Sequence, residues 1–110
     1  MESILTTIKP FCNVPVDYEH FDVQIISHIN SVFMDLQQMG VGPDEGFMIE
    51  DETSVWTDFL PEGKNIEAVK SYMGLRVRLL FDPPLNASVL AAMQKEADRW
   101  EWRLTVAAED

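Results

Sequence analysis

The chain has 110 residues with an apolar fraction of 46%, which suits one folded domain with one core and argues against disorder. Its single cysteine, Cys12, excludes an internal disulfide, and no apolar run reaches the roughly 18 residues that a membrane span requires. The formal net charge is −11, which disfavours nucleic-acid binding in a basic groove. We therefore predict one domain over residues 1–110, and the first residues do not resemble a signal peptide.

The acidic charge is unevenly distributed along the chain. Residues 1–55 carry ten acids and one base, whereas residues 56–110 carry nine acids and seven bases. One explanation is solubility alone. The other is a surface that must face DNA without binding it, or that imitates DNA.

The first two predicted helices occupy the N-terminal third of the chain. The first runs from Ser3, a suitable N-cap, to Lys9, and Pro10 ends it. The second is capped by Asp22 and is followed by Gly40, which suits the C′ position. Apolar residues spaced three or four apart form its inner stripe, which comprises Ile25, Ile29, Val32, Leu36 and Met39, widened by Ile26 and Phe33.

Residues 41–64 are predicted to form an irregular acidic loop, since three glycines and two prolines interrupt any long element. Within it, residues 47–49 are expected to form a short extended piece. Thr53 or Ser54 then caps a single helical turn that carries Val55, Trp56 and Phe59.

The third predicted helix runs from about residue 65 to residue 81. Its expected inner stripe comprises Ile66, Val69, Met73, Val77 and Leu80. Gly74 lies inside this helix, where glycine costs about 1 kcal/mol relative to alanine, so we expect another backbone to pass close to it.

The fourth predicted helix begins at the N-cap Asn86 and ends near residue 104. Its expected inner stripe comprises Leu90, Met93, Ala97, Trp100 and Leu104. Residues 105–110 are expected to be extended or frayed. Pro83 and Pro84 disfavour helix between the last two elements and predict a tight antiparallel corner. The fold class is thus all-α, a small four-helix bundle-like domain with an irregular acidic loop between the second and third main helices.

Catalytic and metal-binding patterns are sparse in this sequence. His20 and His28 are eight residues apart and lack the i,i+4 spacing of a helical metal pair. Cys12 has no neighbouring motif that would activate it, so we expect a small buried apolar side chain. The acids around residues 44–52 lack the alternating ligands of an EF-hand. We therefore expect no catalytic residue, no cofactor and no metal.

The tryptophans offer a different kind of site. Trp100 is expected in the core, whereas a protein interface is as plausible as the core for Trp56, in an irregular loop, and for Trp102, off the inner stripe.

Several segments in order resemble one protein family. The stretch YMGLRVRLLFDPP is followed by a helix that contains EWRL, and it is preceded by HINSVF, LQQMGVGP and GFMIEDETSVWTDFL. Together these segments resemble the head–tail connector (adaptor) proteins of tailed bacteriophages over about residues 2–106, with KPFCNVPVDYEHFD matching least closely.

The resemblance implies a non-enzymatic virion protein that forms a homo-oligomeric ring, usually of twelve subunits, beneath the portal. The implied partners are the portal protein and a tail-side stopper or neck protein. DNA would pass through the ring without specific binding, with no membrane involved. The implied location is the virion neck, after assembly in the host cytoplasm.

The resemblance also suggests which residues carry these roles. The candidate ring interface comprises Trp56, Phe59, Arg76 and Arg78. The candidate portal-docking residues are Trp102, Leu104 and Val106, because family members tend to dock by their C-terminal parts. The candidate channel-lining acids are Asp44, Glu45, Glu50, Asp51 and Glu52.

The alternative from a different class is an acidic DNA-mimic inhibitor of a host DNA-binding protein. The seven bases of the C-terminal half count against it, because they would interrupt a continuous phosphate-like surface.

Overall fold

The computed structural model describes residues 2–61 and 65–109, and within these ranges the chain is helical with no strand. Its elements are α1 (Ile4–Ile8), a 3-10 helix (Lys9–Cys12), α2 (Asp22–Gln38), α3 (Trp56–Phe59), α4 (Ile66–Phe81) and α5 (Ala87–Ala108). The predicted all-α class is confirmed, with α1, α2, α4 and α5 as the four expected helices and α3 as the expected single turn.

Helix α4 is the central element, because it packs against α1, the 3-10 helix, α2 and α5. The largest fully buried side chains of the core come from α1, α2 and α4: Ile4, Leu5, Ile8, Ile25, Ile29, Val32, Phe33, Leu36, Val69, Tyr72 and Met73. The buried face of α4 differs from the predicted inner stripe. Leu80 is 45% exposed beside the corner and Ile66 is half-buried, whereas Tyr72, which the stripe omitted, is fully buried.

The N-terminal segment begins as predicted but continues further. The Ser3 hydroxyl accepts a hydrogen bond from the Thr6 amide at 3.3 Å, so Ser3 is the N-cap of α1. Pro10 does not end the helical path, because its fixed φ suits the start of the 3-10 helix that follows. Lys9 becomes a buried ion-pair partner, with its ammonium 2.8 Å from the Asp22 carboxylate and donating to the Val16 carbonyl at 2.9 Å.

Of the two predicted ends of α2, the C-terminal one is confirmed and the N-terminal one is not. Asp22 is the first helical residue and not the cap, and its carboxylate pairs with Lys9. Phe21 occupies the cap position, and its side chain has no atom that could accept a capping hydrogen bond. Gly40 confirms its predicted role at φ +85°. The Gly40 amide donates to the Gln37 carbonyl and the Val41 amide to the Leu36 carbonyl, which together form a Schellman motif.

The 41–61 segment is irregular, as predicted, but it is firmly attached to the helices. Residues 47–49 form no strand; Asn30 of α2 instead holds the Ile49 backbone by two hydrogen bonds of 2.8 and 3.0 Å. Helix α3 is capped at Val55, not at Thr53 or Ser54, because the Asp58 carboxylate accepts the Val55 amide at 3.1 Å. An isolated bridge between Ser3 and Val55 ties this segment to the N-terminus.

The DPP corner ends α4 at Phe81, and Asn86 caps α5 as predicted, its side chain accepting from the amides of Ser88 and Val89. Helix α5 continues to Ala108, so the expected fraying from residue 105 is wrong for residues 105–108; residue 110 lies outside the described residues. Gly74 is close to a side chain and not to a backbone, because a Cβ there would lie 2.4 Å from the Phe11 ring.

Candidate functional site

Trp56 and Phe59, two of the candidate ring residues, face inward. They are only 3% and 4% exposed. The Trp56 indole donates to the Thr7 hydroxyl at 3.0 Å, and the centroid of the Phe59 ring lies 4.7 Å from that of the Phe33 ring. Phe59 fits there because Gly42 has no side chain; a Cβ at that position would lie 2.4 Å from the ring. Both aromatic residues are therefore used within the subunit, and their burial gives no support to the prediction that they form ring contacts.

Arg76 joins α2, α4 and α5. Its guanidinium lies 3.4 Å from the Asp35 carboxylate and 3.6 Å from that of Glu101, and it donates to the Tyr72 hydroxyl at 3.3 Å. The Tyr72 hydroxyl in turn donates to Glu101 at 2.9 Å, and burial of the phenol raises the pKa of Tyr72. This network was not predicted from the sequence, because Glu101 is 29 residues from Tyr72 along the chain and Asp35 is 41 residues from Arg76.

Arg78, the last of the candidate ring residues, also makes a local contact. Its guanidinium donates to the Asp82 carbonyl, next to the end of α4. The four candidate ring residues are thus not gathered on one free surface.

The candidate portal-docking residues divide into two groups. Trp102 is 67% exposed and Val106 is 40% exposed, so both are accessible to another protein. Leu104 is only 2% exposed and belongs to the hydrophobic core, so it anchors α5.

The five candidate channel acids, Asp44, Glu45, Glu50, Asp51 and Glu52, all lie exposed on the segment between α2 and α3. The segment is held at the Asp44 carbonyl, which accepts from Gln37 at 2.9 Å, and at Ile49. Hydrogen bonds from the Thr53 hydroxyl and amide lower the pKa of Asp51, which keeps this carboxylate ionised. The structure therefore presents a fixed acidic segment on the surface.

Cys12 is buried, and desolvation raises the pKa of its thiol to about 11. A thiol with that pKa is protonated at neutral pH and unreactive. Among residues 2–61 and 65–109, no cluster of three His, Cys, Asp or Glu side chains is arranged to hold a metal ion, and no helix is long and apolar enough to cross a membrane.

One exposed apolar surface lies on α2. Val23, Ile26, Ser27, Asn30, Met34 and Met48 line an open groove of about 500 Å³, which we call the α2 groove. Val23 is 82% exposed, Met34 62% and Met48 71%. This groove was not predicted from the sequence, because Val23 and Met34 lie off the inner apolar stripe of α2.

A second exposed surface begins at the corner. Leu85, which is fully exposed, Val89, Ala92, Lys95 and Arg99 follow one side of the start of α5, and we call them the α5 ridge. Its apolar members lie at the corner end, and its basic members lie two to three turns further on. Arg99 is paired with Glu96 at 2.9 Å, a solvent-exposed pair of small energetic worth.

The structure thus provides an all-α fold with exposed apolar and acidic surfaces. Residues 4–110 match the family model described as "Phage connector protein", so the chain belongs to the phage connector protein family. Neither the search of curated proteins nor the search of solved structures found a match.

Proposed function

We propose that the protein is a structural subunit of the phage head–tail neck, where it joins the portal to the tail-side proteins. The observation that carries this proposal is the family match, which spans residues 4–110 and so includes every helix of the chain. The predicted absence of enzymatic activity belongs to the same proposal, since the family is structural.

The subunits are proposed to form a ring, with the virion neck as its location and the host cytoplasm as its place of assembly. The acids at residues 44–52 support a role in lining the channel, because they are exposed on a segment that α2 holds in place. A negative lining repels DNA phosphates and lets the duplex pass without adhering.

The portal contact is proposed to lie at the C-terminal end of α5. Trp102 and Val106 support it, because both are exposed and a large exposed aromatic side chain is a frequent anchor of protein interfaces. Leu104 contributes indirectly by fixing the helix that carries them.

Mixing the purified protein with the portal of the same phage tests this function. Light scattering or co-sedimentation should detect a complex, and Trp102→Ala should weaken it by about 2 kcal/mol, the cost typical of an interface anchor. Tyr18→Ala is a matched control, because Tyr18 is also an exposed aromatic residue but is distant in sequence from the proposed contact. An intact portal that binds neither the wild-type protein nor the control would contradict the proposal.

The channel role is tested in assembled particles. Replacing Asp44, Glu45, Glu50, Asp51 and Glu52 by their amides should alter DNA retention or ejection, because the repulsive field is removed. Neutralising the exposed acids Asp17 and Glu19 serves as the control. Unchanged retention and ejection would exclude the channel role while leaving portal binding intact. A salt-sensitive complex with a host DNA-binding protein, without portal binding, would instead favour the DNA-mimic alternative.

A further inference from the structure

We propose that the ring interface forms between the α2 groove of one subunit and the α5 ridge of the next. A closed ring requires two unlike and complementary surfaces on every subunit, since each copy contacts one neighbour on either side. The inference rests on the proposed function for the ring itself, and it assigns the surfaces that build it.

The two surfaces consist of side chains that the fold leaves exposed or partly exposed. Helices α2 and α5 each pack against α4 with their buried faces, and the α2 groove and the α5 ridge lie away from those faces. A second copy can reach both surfaces without disturbing the core.

The apolar parts of the two surfaces match in kind. The α2 groove is open and is lined by flexible and branched side chains, Met34, Met48 and Val23. The α5 ridge presents Leu85 without any cover and Val89 at 49% exposure. Docking the ridge in the groove would remove all five apolar side chains from water, and methionines adapt to an incoming shape more readily than other apolar residues.

The region around the α2 groove carries acids without bases, whereas the α5 ridge carries bases with which those acids could pair. No Lys or Arg occurs between residues 10 and 63, so the α2 groove has no base from its own part of the chain and has Glu50 close by in sequence. The α5 ridge carries the bases Lys95 and Arg99, with two acids, Glu96 and Asp98, in the same stretch. Opposite charge steers two copies into a head-to-tail arrangement and disfavours groove-to-groove pairing.

This assignment leaves the C-terminal end of α5 free. Trp102 and Val106 are not members of the ridge, so the same subunit can contact its neighbour through the ridge and the portal through its last turns. The two proposals therefore concern separate residues and can fail separately.

Cysteine cross-linking tests the interface. Met34→Cys and Val89→Cys are made in separate chains, mixed in equal amounts with and without portal, and treated with a short bis-maleimide linker. Both sites are exposed, and the native Cys12 is buried and does not compete. We expect a cross-linked dimer that contains one copy of each variant. A matched control pairs Met34→Cys with Val106→Cys, which lies on the same helix with similar exposure.

The heterodimer yield should exceed that of the control by about tenfold and should fall by about tenfold when Lys95→Glu and Arg99→Glu are added to the Val89→Cys chain. Equal yields for the two pairs, dimers of Met34→Cys with itself, or cross-links to the portal alone would each overturn the assignment. Portal binding, measured on the same samples by co-sedimentation, reports separately on the proposed function.

Discussion

The two long helices that flank α4 are held in very different ways. Helix α2 buries Ile25, Ile29, Val32, Phe33 and Leu36 almost completely, whereas α5, with 22 residues, buries only Ala97 and Leu104. The subunit is thus a compact body of α1, α2, α3 and α4 with a more exposed α5 fastened to it. Helix α2 thus contributes more fully buried apolar side chains to the fold, while α5 leaves most of its side chains exposed to solvent.

Two tryptophans give the largest expected contrast between the body and α5. Trp56→Ala should cost about 3–5 kcal/mol in the free energy of unfolding, because it empties a core site and removes the bond to Thr7. Trp102→Ala should change it by less than about 0.5 kcal/mol, since its side chain is 67% exposed. Urea unfolding measures both variants. Similar costs for the two would show that body and α5 are equally important for stability.

The next largest effect concerns the attachment of α5. Leu104→Ala should cost about 2–3 kcal/mol, and it should speed amide hydrogen exchange in α5 more than in α2. The neighbouring and exposed Val106→Ala is the control, with little effect on either measurement. If exchange accelerates equally in both helices, α5 is an integral part of the cooperative core and the contrast is lost.

A smaller effect is expected inside the body, at Gly74. Alanine gains about 1 kcal/mol in helix propensity but forces the Phe11 ring out of its place, an overpacking that costs about 1–3 kcal/mol. Gly74→Ala should therefore be destabilising by about 1 kcal/mol in thermal unfolding. In a protein that already carries Phe11→Ala, Gly74→Ala should instead be stabilising. If Gly74→Ala destabilises both the wild-type protein and the Phe11→Ala variant, the ring contact is not the cause.

The smallest effect is a pH dependence of the body. Burial raises the pKa of Cys12 from 9.0 to about 11, so the unfolded state loses this proton first and stability falls as the pH rises above about 9. The loss should be about 1 kcal/mol or less near pH 10. Comparing the pH slope of urea unfolding for wild type and Cys12→Ala isolates it. Identical slopes would mean that the thiol does not carry this dependence, leaving groups such as Tyr72.

Local patterns in the sequence were enough to predict the long helices and some of their ends. The stripe of α2 follows from apolar residues three or four apart. Gly40 suits the C′ position because glycine readily adopts a positive φ, and Asn86 suits the N-cap because its side chain accepts backbone hydrogen bonds. Prolines 83 and 84 likewise marked the corner, because proline restricts the residue before it.

Contacts between distant residues were not accessible in this way. Nothing near Trp56 indicates that its side chain will be buried and will donate to Thr7, and nothing near Lys9 indicates the ion pair with Asp22. The Tyr72–Arg76–Glu101 network and the Phe11 ring beside Gly74 were not predicted for the same reason, because they join residues that are distant in sequence. The burial of Trp56 and Phe59 could therefore not be decided from the sequence, whereas the exposure of Trp102 follows from its position off the inner stripe.

The most direct test of the proposed role is a negative-stain image of the protein mixed with its portal. The account predicts a ring of additional density on the tail-facing side of the portal, which should be lost or weakened with Trp102→Ala and retained with Tyr18→Ala. A portal that shows no added density, under conditions in which the wild-type protein is folded and in excess, would contradict the assignment as a connector subunit.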